Sequence, residues 1–142
     1  MRALLLALML ATPAQAWQAT VGAICTLSHD TEAANIFLTY DPAKPLYSLT
    51  ITLAQDSWAP SLWFAMRFDG PTPIEIATSR HTLSGDATAL STADTGFGNV
   101  LDGLEFNDTA VALTQNRILQ FPLDGAAPEV RTFRACAPAQ LS

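Results

Sequence analysis

Three features of this chain predict an all-β fold, an antiparallel β-sandwich carrying one or two short helices. Apolar and polar residues alternate over short runs, turn residues punctuate those runs, and an apolar stripe at helical spacing lies near the end. Alternation places every second side chain on one face of a strand, and closely spaced short strands with Gly, Pro and Asp between them indicate two packed antiparallel sheets.

Taken in order, Val21 to Ser28 reads as the first strand, with Cys25 and Leu27 on one face. His29 to Asn35 is polar and Ala-rich and reads as a connection or one loose helical turn. Ile36 to Tyr40 is the next strand, closed by the turn chemistry of Asp41-Pro42-Ala43-Lys44-Pro45. The clearest period follows, with Tyr47, Leu49, Ile51 and Leu53 alternating with Ser48, Thr50 and Thr52. Leu62, Phe64, Met66 and Phe68 repeat it up to the turn at Asp69-Gly70-Pro71, and Ile74 to Thr78 continues it. Weaker strand segments come at Arg80 to Leu83 and Thr88 to Thr92. Val111 to Thr114 and Ile118 to Leu123 form a closing hairpin about Gln115-Asn116.

Two stretches break the strand rhythm. Behind Gly96-Phe97-Gly98-Asn99, the residues Val100, Leu101, Leu104 and Glu105 fall at helical spacing, which predicts a short helix across one end of the sheets. Ala126, Val130, Phe133 and Ala137 form the stripe of a C-terminal helix, with Asp124 placed to cap its free amides and Pro128 in its first turn. Ala139 to Ser142 is expected to fray.

The first residues read as an export signal. One cation, Arg2, precedes the apolar run Leu4 to Ala11, and Ala14-Gln15-Ala16 offers small residues at the cleavage positions. That run is about half the ~20 residues a membrane-spanning helix needs. Cleavage after Ala16 is expected, leaving residues 17–142 as a single domain with no transmembrane segment. Such a length hides roughly two-thirds of the unfolded surface, enough for a core without a metal. The formal net charge of −6 becomes one unit more negative when Arg2 leaves. The remaining cations are scattered, which argues against nucleic acid and against anionic lipid surfaces. Two cysteines in an exported chain, Cys25 and Cys136, make one disulfide the simplest account. Closing that loop contributes about 4–5 kcal/mol in the chain-entropy model.

Motifs that carry chemistry are sparse. The two histidines, His29 and His81, have no metal-ligand spacing and read as solvent-side imidazoles at strand ends. A small secreted hydrolase using His81 or His29 is the alternative function, although no Gly-x-Ser-x-Gly elbow is present. Asp94, Asn99, Asp102 and Asp108 supply oxygens that could hold calcium, without the ligand spacing of an EF-hand loop. Gly96 and Gly98 read as permissive positions for a tight bend. Asn107-Asp108-Thr109 is formally a glycosylation sequon. No catalytic, metal or cofactor site is expected.

The aromatic residues say more. If Leu62, Phe64, Met66 and Phe68 face the core, Trp63 lies on the other face, and Trp58 outside with it or beneath a loop. With Arg67 they are the candidate surface residues for binding a protein, peptide or glycan partner in the cell envelope.

At Gly96 to Asn107 and at Phe121 to Cys136 the chain resembles small exported alphaproteobacterial proteins of unknown function. Its Trp17…Cys25 opening and its strand-turn-helix ending at Cys136 are distantly similar to the invasion-associated locus B family. That resemblance implies an exported β-sandwich linked to host interaction and envelope function, although the family's usual further cysteines are absent. The expected function is thus a non-catalytic, periplasmic or secreted envelope module that works by binding.

Overall fold

The computed structural model describes residues 16–136. The expected signal peptide up to Gln15, Ala137 of the helical stripe and the tail at 139–142 lie outside the described residues. Ten strands run β1 (Gln18–Thr20), β2 (Cys25–Asp30), β3 (Ala34–Asp41), β4 (Leu46–Leu53), β5 (Phe64–Asp69), β6 (Ile74–Thr78), β7 (Thr82–Leu83), β8 (Ala89–Asp94), β9 (Thr109–Thr114) and β10 (Ile118–Pro122). Two helices, α1 (Gly98–Phe106) and α2 (Ala126–Arg134), complete the order, α1 falling between β8 and β9. Sheet A has the order β1-β2-β3-β4-β8-β7 and sheet B the order β10-β9-β5-β6. Every pairing is antiparallel, so the expected sandwich with two short helices is what forms.

Alternation assigns the inner faces. Leu49, Ile51 and Leu53 of β4 point inward with Ile36, Leu38 and Tyr40 of β3, and all are buried. From sheet B come Phe64, Met66 and Phe68. The register sets Met66 opposite Ala112 and Phe68 opposite Ala110, so a large side chain meets a small one at each step. That pairing fills the inter-sheet space without overlap.

The N-terminal stretch departs from expectation. Val21 to Ser28 is not one strand: β1 ends at Thr20 and β2 begins at Cys25, and Val21 and Ile24 are exposed in between. Residues 29 and 30 complete β2, so no helical turn follows Ser28. β1 is held from outside, where the Ala19 amide donates to the Glu129 carboxylate of α2 at 2.9 Å. Just ahead of β1, Trp17 is buried, stacks on His29 with ring centroids 4.6 Å apart, and donates its Nε1–H to the Pro122 carbonyl at 3.3 Å.

The helices close one end of the sandwich. α1 buries Val100, Leu101 and Leu104, the residues its spacing singled out. Gly103 lets it approach β5, because a Cβ there would come within 2.2 Å of the Phe68 ring. α2 buries Ala126, Val130 and Phe133. Its N-cap is Gly125, at φ 76°, and the Asp124 side chain makes no capping bond. Arg134 ties the two helices by pairing with Asp102 and, at 3.0 Å, with Glu105. Cys25 and Cys136 meet at disulfide distance, with Cα atoms 6.4 Å apart, and join β2 to the end of α2. No helix among the described residues is long and apolar enough to cross a membrane.

Candidate functional site

The three candidate binding residues separate in the structure. Trp58 is not a surface residue: it is 2% exposed and donates its Nε1–H to the Ile51 carbonyl at 3.1 Å. Its backbone amide bonds the Ala87 carbonyl, and the Arg117 guanidinium lies 5.8 Å from its ring centroid. Those contacts plug the end of the sandwich away from α1, so Trp58 is a core residue reached by the loop before β5. Trp63 and Arg67, in contrast, share one surface.

That surface is the outer face of sheet B. Register places Ala77, Ala65, Leu113 and Ile118 in one outward row, and Glu75, Arg67, Val111 and Gln120 in the next. Trp63 precedes β5 by one residue and continues the outward row of Ala65 and Arg67. Trp63 is 40% exposed and Ile118 75%. Val111 and Ala65 point to the same side yet are buried, and neither belongs to the core between the sheets. α1 reaches sheet B from the inner side, at Phe68, so among the described residues this outer face carries no helix. Arg67 flanks the apolar row, its Nε 3.2 Å from both oxygens of Asp69.

Local hydrogen bonds hold Trp63 there. The Ser61 hydroxyl donates to the Trp63 carbonyl at 2.7 Å and accepts from the Gln115 amide at 3.0 Å. The Gln115 side chain accepts from the Leu62 amide at 2.8 Å, and His81 Nε2 lies 3.0 Å from the Ser61 carbonyl. Ser61 and Gln115 were not candidates from sequence, and His81 was one only as the imidazole of the alternative hydrolase. The Ser61–Gln115 link crosses 54 positions and left no local signal in the chain.

The histidines make no hydrolase-like contact among the described residues. His29 is buried against Trp17, not solvent-side, and His81 is half-buried against the loop before β5. Neither imidazole hydrogen-bonds a serine hydroxyl or a carboxylate among the described residues, so no nucleophile–base pair is present there. Burial lowers the His29 pKa below its ordinary 6.5, and the Asp30 carboxylate and Ala16 carbonyl only partly offset it. The four calcium candidates are also dispersed. Asp102 is taken by Arg134, Asp94 faces Arg80 at 3.8 Å, and no group of three or more His, Cys, Asp or Glu among the described residues could hold a metal. Asn107 of the sequon is buried, donating to the Gly103 carbonyl and accepting from the Thr72 amide. It serves as a structural link between α1 and the turn after β5.

A concavity opens between the sheets. A cleft of about 470 Å³ separates β4 and β8 of sheet A from β5 and β6 of sheet B. Leu49, Phe64, Met66, Ile76, Phe97 and Val100 form its apolar walls, and Arg80, Asp94 and Asn99 stand among its lining residues. The end of β8, the connection after it and the start of α1 form one side of this cleft, through Asp94, Gly96, Phe97, Gly98 and Asn99. No family model, curated protein or solved structure matches the chain.

Proposed function

We propose that the protein is a non-catalytic exported binding module, acting in the periplasm or outside the cell after cleavage behind Ala16. In this reading Trp63 and Arg67 contact a protein, peptide or glycan of the envelope. The observation that carries the reading is the outer face of sheet B, where an exposed tryptophan, an exposed isoleucine and a flanking arginine lie on a face that carries no helix among the described residues. Tryptophan and arginine are the residues that most often dominate the energy of a contact surface, and exposed apolar patches mark such surfaces. The cysteine pair at disulfide distance suits an oxidising compartment. The resemblance to the invasion-associated locus B family points to the same envelope role.

A photo-crosslinking amino acid placed at Trp63, in the protein expressed in its own host, tests this. The expected result is one discrete crosslinked partner, absent when the crosslinker sits at exposed Glu32 instead. Trp63→Ala should lower stability by less than about 1 kcal/mol, as for a surface substitution, while an Ile118 crosslinker in that variant loses the partner. Identical patterns at positions 63 and 32, or no crosslink at either, would remove the outer face as the working surface.

A further inference from the structure

We infer that the inter-sheet cleft is a binding site for a single-chain amphiphile with a carboxylate head, the chemical class of a free fatty acid. This site is separate from the outer face of sheet B and does not depend on it. The cleft, at about 470 Å³, lies within the ~300–1,000 Å³ of small-molecule pockets. Its walls are the core side chains Leu49, Phe64, Met66, Phe97 and Val100 with Ile76 packed against them, so an apolar chain entering it meets hydrocarbon.

Two observations show why the cleft stays open. β7 pairs only with Ser91 and Leu90 of β8, which leaves the Thr92–Asp94 end of that strand without a paired strand on the cleft side. β6 pairs only with β5, so its other edge is also free. The two sheets therefore part where neither has a further strand to close the gap. Gly96 and Gly98 extend the opening. Neither has a left-handed φ, so neither is needed for the bend, and a Cβ on either would meet nothing within 4 Å. What these glycines contribute is empty space along the cleft.

Charge selects the head group. Arg80 lines the cleft with an 80% exposed side chain whose guanidinium makes no hydrogen bond among the described residues. Its one partner is Asp94, at 3.8 Å, and such an exposed pair holds its members weakly. Asp94 keeps a hydrogen bond of its own from the Thr95 amide at 2.7 Å, so it stays satisfied when Arg80 turns away. A planar fork of free donors beside an apolar slot is matched by a carboxylate, which accepts two parallel bonds from it.

The probe is dodecanoate, compared with dodecanol and dodecylamine, titrated calorimetrically against the purified oxidised protein below the micellar concentration of each. Saturable dodecanoate binding is expected, weakened about tenfold in Arg80→Ala by loss of the charge-assisted contact, with dodecanol affinity unchanged by that substitution. Gly98→Phe fills the opening from a position with free space, so it should leave the thermal unfolding midpoint in place and abolish binding of both. Dodecylamine binding as tightly as dodecanoate, or dodecanoate binding that survives Gly98→Phe in a folded protein, would overturn the assignment. So would the absence of any saturable dodecanoate binding.

Discussion

His29 shows how one contact decides the character of a side chain. The alternation of β2 turns it inward with Cys25 and Leu27, and Trp17 covers it from a position twelve residues earlier. Nothing within residues 25–35 announces that cover, which is why the imidazole reads as solvent-side from sequence. Burial favours the neutral ring, so its folded pKa lies below the unfolded 6.5. The unfolded chain therefore takes up a proton more readily. The stability linked to this group is fully present above pH 6.5 and is lost as pH falls through the lower folded value. Cleavage behind Ala16 would remove a carbonyl that opposes the shift, which leaves its direction unchanged. Urea midpoints measured on both sides of pH 6.5 should drop on the acid side for the native protein and drop less for His29→Phe. Parallel curves for the two proteins would show that the acid loss arises elsewhere. Trp58 teaches the same lesson. Its partners, Ile51, Ala87 and Arg117, come from three separated segments, and the alternation of β5 does not extend to it.

Strands were more legible than their connections. β4 lies where its alternation puts it, because it buries one face and a one-residue slip would expose it. β5 does so from Phe64 onward, whereas Leu62, read as inward-facing, precedes the strand and is 78% exposed. β1 was missed because three residues carry no usable period, and the strand is held by Glu129 from the far end of the chain. α1 was legible from its apolar spacing even though Gly103 sits within it and glycine disfavours helices by about 1 kcal/mol. In the folded protein that glycine is what lets α1 rest on the Phe68 ring. Gly103→Ala should therefore destabilise by about 1–3 kcal/mol despite the better helix former, as overpacking does. Denaturant unfolding checks the sign: a more stable Gly103→Ala protein would mean that α1 can lift off β5 at little cost. Ion pairs between the helices add to the seat. Arg134 bridges Asp102 and Glu105 from one residue of α2, a contact whose partners are about thirty positions apart and invisible to any local pattern.

At the largest extent, the sandwich is tied by the Cys25–Cys136 pair, whose separation is 111 residues. This link was legible because only two cysteines exist to make it. The candidate surface was legible only in part. Strand period assigned Trp63 and Arg67 to an outward face, but whether another element covers that face is a property of the assembled sheets. The cleft was not legible at all, since it depends on which strand ends lack a neighbour. Cys25→Ala combined with Cys136→Ala should lower stability by about 2–4 kcal/mol while far-ultraviolet dichroism still reports the sheets. An unchanged denaturation midpoint would show that packing of α2 alone holds the ends together.

Chains emerge from their first residue onward, and that gives the 111-residue separation a meaning in time. β4 must wait for β8, β5 for β9, and β1 for the glutamate on α2. The covalent tie waits longest, because Cys136 follows every strand and both helices of the described residues. A partly delivered chain has neither a finished sheet nor a tie. Successive hairpins from β1 to β4 need nothing later, so the covalent tie is the step that only the arrival of α2 allows.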